Sequence, residues 1–322
     1  MHEPARHGLM RWLRVFVPVA LVACVLAASA ASPARADSIP TVTVESSRAA
    51  KQLRHDVDVF VSSAITKSWD ESLMRWNQPI CPLVAGFNRP MAEFLLLRIS
   101  NLARSVHAPL DGEKCRPNLF VLVAQNPTVF LKLLWRHNPR MFDTRNGIEA
   151  AKRFIETPRP IRAWYNANEM TADNTSASAF TSILAQSAGT ADVDYPVFVQ
   201  PSSIGSRLTH GVVRNLSNVI VVIDPAQINK LNVGQLADYV GLISLAQIDL
   251  DKNLGEAQAP SILKVFNPDE TTAPLEMTEW DRALLSALYA TSQKSRLQLS
   301  EMEDAVFKEI SAQSAQSSQS AQ

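Results

Sequence analysis

Gly234-Gln235-Leu236-Ala237-Asp238-Tyr239-Val240-Gly241-Leu242-Ile243-Ser244-Leu245-Ala246-Gln247-Ile248-Asp249 is the stretch on which the reading of this chain turns. Apolar residues dominate it, and a helix that is apolar over most of its surface belongs inside a fold. Just before it, Asn218-Val219-Ile220-Val221-Val222-Ile223-Asp224 is β-branched and is closed by Asp224-Pro225, which makes it the strongest strand in the chain. After it, Thr278 caps a helix holding Ala283, Leu284, Leu285, Leu288 and Tyr289. A last helix holds Leu297, Met302, Val306, Phe307 and Ile310. A strand leads into the central helix and the last helices close over it, so residues 234–249 are expected to organise the core.

Moving outward toward the N-terminus, Leu53, Val57, Phe60, Val61 and Ile65 recur every three or four residues, one face of a helix starting near Ser46. Asp37 to Glu45 before it is a polar lead-in. Gln78 to Val84 reads as a strand that Pro79 and Pro82 keep short or at an edge. Arg89-Pro90 opens a strongly apolar helix, since proline costs nothing at a first helical position. His107-Ala108-Pro109 ends it, and His107 reads as a solvated helix-end residue. Asn118 to Ala124 is a buried strand, Asn126-Pro127 opens another helix, and a shorter helix covers Gly147 to Glu156. Pro160 to Asn166 is a strand. Asn168 to Asp192, rich in Ser, Thr, Ala and Asn, is expected as a long surface loop. Asp194 to Gln200 and Ser203 to Leu208 are weaker strands. Ser311 to Gln322 contains Ser, Gln and Ala only and is expected to be disordered. The fold class is α+β: a mixed twisted sheet, a central helix after the last strand, and additional helices at both ends, in a single domain over residues 37–310.

Composition narrows the function classes. Hydrophobic residues are 46% and charged residues 19% of 322, which is a globular balance able to bury a large core. The formal net charge is zero, so there is no basic footprint for nucleic acid. Residues 1–36 read as a signal peptide: Arg6, Arg11 and Arg14 precede an apolar run from Val15 to Ala28, and Ala34-Arg35-Ala36 offers a cleavage site before Asp37. Removing that segment takes four arginines and one glutamate from 31 basic and 31 acidic residues, leaving a net charge of about −3. The apolar run is short for a bilayer span, so no stable membrane span is expected after cleavage. A competing reading is lipidation at Cys24, since Leu21-Val22-Ala23-Cys24 fits a lipid-attachment box, although the residues after Cys24 stay apolar. Cys81 and Cys115 would then be the remaining cysteines, and in an oxidising compartment such a pair is expected to form a disulfide.

Catalytic motifs are scarce. His55, His107, His137 and His210 have no pair within five residues of each other, so the His-x-x-x-His signature of zinc helices is missing. There is no Gly-x-Ser-x-Gly elbow, P-loop or Gly-x-Gly-x-x-Gly. Ser206 near Thr209-His210 reads as a loop hydroxyl, Asp249 and Asp251 as solvated helix-end acids, and Trp164-Tyr165 as neighbours on opposite faces of one strand.

Leu236-Ala237-Asp238-Tyr239-Val240-Gly241-Leu242 through Ala246 nevertheless resembles the zinc helix of matrixin-type metzincins, Leu-Ala-His-Glu-x-Gly-His-x-x-Gly. Leu236, Ala237 and Gly241 match it. Asp238 stands for the first ligand His, Tyr239 for the catalytic Glu, Leu242 for the second His, Leu245 for the helix-ending Gly and Ile248 for the third His. Ser261-Ile262-Leu263 is similar to the Ser-Ile-Met of the family's Met-turn. Met277-Thr278-Glu279-Trp280-Asp281 with Leu285, Leu288 and Tyr289 resembles its final helix. Arg75 to Ile80, Arg89 to Val106 and Leu119 to Ala124 resemble its first strand, first long helix and second strand. The likeness spans about Trp69 to Tyr289, with an insertion near residues 127–156.

The resemblance implies a zincin-like fold without its chemistry. Zinc would need three imidazoles and a carboxylate base, and Leu242 and Ile248 cannot ligate. No cofactor is expected. The implied role is that of a non-catalytic exported protein, periplasmic or secreted, that binds a protein or peptide, because a sheet edge can still accept an extended peptide. Two alternatives stay open: a hydrolase of another class using polar groups of the 168–192 loop, and a lipid-anchored envelope protein with a structural role.

Overall fold

The protein was visualised as a computed structural model, which describes residues 41–65, 71–142, 148–171, 206–252, 254, 257–267 and 273–320. The chain separates into two compact units, Met1–Thr43 and Val44–Gln322. Only residues 41–43 of the first are described, so the architecture below is that of the second. The expected signal segment with Cys24, the strand at 194–200 and almost all of the 168–192 loop lie outside the described residues.

The elements follow in the order α1 (Thr41–Ala64), β1 (Arg75–Trp76), β2 (Pro82–Ala85), α2 (Arg89–Ser105), β3 (Leu119–Val123), α3 (Pro127–His137), α4 (Ile148–Glu156), β4 (Ile161–Thr171), β5 (Val212–Ile223), α5 (Val233–Leu245), α6 (Glu279–Ala290) and α7 (Gln298–Ser320). Short 3₁₀ helices include Pro139–Met141 and Ile262–Phe266. The class is α+β with a mixed, mostly parallel sheet. β2 pairs parallel with β3, β3 parallel with β5, and β4 runs antiparallel along the whole of β5. Since β4 takes all of one side of β5, β1 and β3 share the other side, at residues 215–216 and 219–223 respectively.

The strand residues alternate between two apolar layers, as the pleat requires. Val219, Val221 and Ile223 of β5 face the larger layer with α1, α2, α5, α6 and α7. Ile220 and Val222 face a smaller one with Leu131, Ala151, Ile155 and Trp164. Covered on both sides, β5 is the continuous apolar run that marks it in the sequence. Side chains of Asn88 and Asn126 accept the amides of Met91 and Val129 at 3.0 and 3.1 Å and start α2 and α3, each helped by a first-turn proline. α3 and α4 fall within residues 127–156.

Four expectations change. β4 does not stop at Asn166 but runs to Thr171, because β5 begins at Val212 and supplies partners past a register shift between Asn166 and Ala167. The tail from Ser311 is not disordered: α7 stays helical to Ser320. Lengthening an existing helix avoids the nucleation cost, Ala and Gln favour it, and Ser311 and Ser314 hydroxyls bond back to Phe307 and Ile310 carbonyls. Finally, Ser206 to Leu208 is not strand; Ser206 and Thr209 close a hydroxyl-bonded turn, and 203–205 lie outside the described residues. α1 also begins earlier than expected, at Thr41.

The two edges of the sheet differ. β2 has four residues, starts at a proline, and is flanked by Cys81, which lies at disulfide distance from Cys115 with Cα atoms 5.8 Å apart. It ends at Gly86, whose φ of 93° and close approach to Val123, where a Cβ would sit 2.8 Å from the carbonyl oxygen, admit only glycine. β4, by contrast, has eleven residues and no proline.

Candidate functional site

α5 is buried along nearly its whole length, so its unpaired end groups must find partners inside the protein. At its start Asn232 and Gln235 form a reciprocal capping box at 2.8 and 3.1 Å. At its end three aromatic residues from distant strands and helices serve the last carbonyls. Tyr165 donates to Ile243 at 3.0 Å, Trp76 Nε1 to Ser244 at 2.8 Å, and Tyr289 to Leu245 at 2.9 Å. Burial pushes the Tyr165 and Tyr289 hydroxyls above the usual tyrosine range, so they stay protonated and keep donating. Arg75 works the same way for α6, donating from Nη1 to the carbonyls of Leu288, Tyr289 and Thr291.

One side of α5 is sealed. Asp238, 1% exposed, takes both forks of the Arg98 guanidinium from α2, with Nη2 to Oδ2 at 2.9 Å, and accepts the Met277 amide at 2.7 Å. The carboxylate holds the Arg98 guanidinium above its ordinary pKa. Gly241 lets α2 come close, since a Cβ there would meet Leu102 at 3.1 Å. Leu242 and Leu245 are fully buried. Next to this region Asp281 accepts from Ser261 Oγ, the Ile262 amide, and the amide and hydroxyl of Thr278, tying the 3₁₀ helix to α6. Burial raises its carboxyl pKa, against the pull of these hydrogen bonds.

The other side of α5 opens on a hollow of about 290 Å³. Tyr239, Ile248 and Leu263 line it, together with Ile161, Phe266 and Lys264. The Tyr239 ring meets Phe266 edge-on at 5.0 Å. Tyr239 is 5% exposed and lines this hollow, whereas the buried hydroxyl of α5 without a hydrogen-bond partner is Ser244 Oγ. Burial raises the Tyr239 hydroxyl pKa, and Arg159 is the charge that opposes the rise. A second hollow of about 320 Å³ runs beside Arg162 to Tyr165 of β4. The two share Arg159, Ile248, Asp249 and Leu250 as a common wall. Arg159 pairs with Asp251 and donates to the Leu250 carbonyl.

Among the described residues β4 pairs with β5, and over Ile161 to Tyr165 no other strand pairs with its far side. The phase of its ladder is fixed: the Asp224 amide donates to the Pro160 carbonyl at 2.9 Å. Alternate residues therefore turn their backbone groups toward β5 at 160, 162 and 164, and away from it at Ile161, Ala163 and Tyr165. The other side of β5 agrees, since Val219 donates to Asn118 and Ile223 accepts from Ala124.

The structure thus brings Tyr239 and Ile248 together at one hollow and turns Asp238 away toward α2, with Leu242 in the core. The four positions do not converge on one point. Among the described residues no group of three or more His, Cys, Asp or Glu side chains is placed to hold a metal ion. Asp249 and Asp251 engage Lys252 and Arg159. Trp164 and Tyr165 face opposite layers. His107 is exposed at the end of α2, with φ at 58°. No helix among the described residues is long and apolar enough to cross a membrane. The sequence pattern singles out neither Arg159 nor Arg98, and it marks Tyr165 only as a strand residue, not as a donor to α5. The pairing of a charged residue in α2 with the lone acid of α5 was the available signal for Arg98; Arg159 had none.

No protein-family model, curated protein or solved structure matches this chain.

Proposed function

We propose that this is a non-catalytic exported protein, periplasmic or secreted, with a zincin-like fold, that binds an extended peptide along the outer edge of β4. The observation that carries the reading is the open edge itself. Over Ile161 to Tyr165 the outer side of β4 has no strand partner among the described residues and carries neither proline nor bulge; such an edge is what proteins ordinarily blunt, and β2 on the opposite side of the sheet is blunted. Outward amides and carbonyls at Ile161, Ala163 and Tyr165 are the groups that strand addition uses. The hollow beside them gives room for alternate side chains.

The zincin-like part rests on element order. Strand, long helix, strand, then β5 leading into α5, a short turn at Ser261–Leu263 and a final helix follow the sequence resemblance. The absence of imidazole at Leu242 and Ile248 supports a role without zinc chemistry. The Cys81–Cys115 pair is compatible with an oxidising compartment. Intact-mass measurement of the exported protein tests the compartment reading: a chain starting at Asp37 is expected, and an acylated Cys24 at the N-terminus would replace it with a lipid anchor.

Ala163→Pro tests the edge. Its amide points away from β5, so proline removes an outward donor and no ladder hydrogen bond. Fluorescence anisotropy with labelled extended peptides should show binding to the parent and a clear loss in the variant, with the circular dichroism spectrum unchanged. Full binding by a folded variant would reject the edge as the docking strand.

A further inference from the structure

The polarity of β4 and the charges at its start say which part of a peptide belongs there. Arg159 lies two residues before Ile161 and forms part of the wall between the two hollows. Arg153, Arg159, Arg162 and Lys252 line these hollows, against the carboxylates of Asp249 and Asp251. Arg162 is 4% exposed, has no carboxylate bonded to it, and leaves its Nε–H without a partner. An added strand running parallel to β4 would bring its N-terminal ammonium to this cationic end. An antiparallel one would bring its C-terminal carboxylate. Charge selects the antiparallel peptide.

We infer that the Arg159 guanidinium is the receptor for the free C-terminal carboxylate of a peptide laid antiparallel on β4, and that Asp251 holds that place in the unliganded protein. The inference rests on the edge-strand reading above and names the class of peptide it takes. The Asp251 side chain is 79% exposed and that of Arg159 26%. With its acid in solvent such a pair is weak, and Asp251 can swing away when a second carboxylate arrives. Beyond Arg159 the 290 Å³ hollow receives the last side chain. Its walls at Ile161, Ile248, Leu263 and Phe266 call for a medium-sized apolar residue. Tyr239 lines the same hollow, and its hydroxyl can donate to a terminal carboxylate oxygen.

The test is an array of extended hexapeptides with varied apolar last residues, each made as the free acid and as the carboxamide, measured against the full mature protein by fluorescence anisotropy. Free acids should bind about tenfold or more tightly than their amides, the worth of a charge-assisted hydrogen bond. Asp251→Asn, a surface change, should tighten the free acids several-fold and leave the amides alone. Arg159→Gln, checked for folding by thermal melting, should erase the difference between acid and amide. Equal binding of acids and amides by the parent protein overturns the carboxylate reading and leaves the edge strand standing. Tighter binding of both sets by Asp251→Asn also overturns it. If neither set binds, the edge-strand reading falls too.

Discussion

The two sides of α5 are built on opposite terms. Toward α2 and α6 the charge is matched and the packing is closed: Asp238 has three hydrogen bonds, Gly241 admits a neighbouring helix, and Leu242 and Leu245 are fully buried. Toward β4, the same helix presents the Tyr239 ring to a hollow, beside a strand edge that no other strand covers over Ile161 to Tyr165 among the described residues. Sealed regions report on stability.

Substitutions can break that contrast, and the largest effect belongs to the sealed side. Leu242→Ala should lower unfolding free energy by about 2–5 kcal/mol in urea titration, the range for a leucine cavity in a packed core. A loss near zero would mean the helix is not packed as described. Asp238→Ala should cost about 2–3 kcal/mol by the same measurement, because it strands the buried Met277 amide. The cost stays below that of a fully buried pair because the Arg98 side chain is 40% exposed and can be hydrated. On the open side, Ala163→Pro should cost at most about 1 kcal/mol, since no ladder bond is lost. Smallest of all, Tyr239→Phe should move the thermal midpoint by less than the equivalent of about 0.5 kcal/mol, because no hydrogen bond is removed. If instead Tyr239→Phe proves as costly as Asp238→Ala, the hydroxyl has a partner and the contrast disappears.

How much of this was legible in the sequence differs between the same two regions. The buried character of α5 and β5 is written in their apolar runs, and the caps at Asn88, Asn126 and Thr278 in local spacing. The helical start and stop signals are short-range, so they survive any uncertainty about tertiary contacts. What could not be read is long-range. Nothing near Asp238 announces that Arg98 lies across from it, and nothing near Ile243 to Leu245 announces three aromatic donors. The outer phase of β4 depends on a single pairing between Pro160 and Asp224, set by the sheet rather than by either segment. The tail departs from its composition for a different reason. Composition describes a segment alone, whereas Ser311 to Ser320 inherits a helix already started at Gln298.

The Cys81–Cys115 link has a topological consequence of its own. It spans 34 residues and encloses all of α2, the helix that brings Arg98 and Leu102 to α5. A protease that nicks the chain anywhere between those cysteines releases no fragment while the bridge is intact. The two pieces would travel as one band without reductant and as two with it. α2 is therefore held to the sheet by covalent closure as well as by packing, and a chain reopened inside that ring could keep the whole arrangement in place.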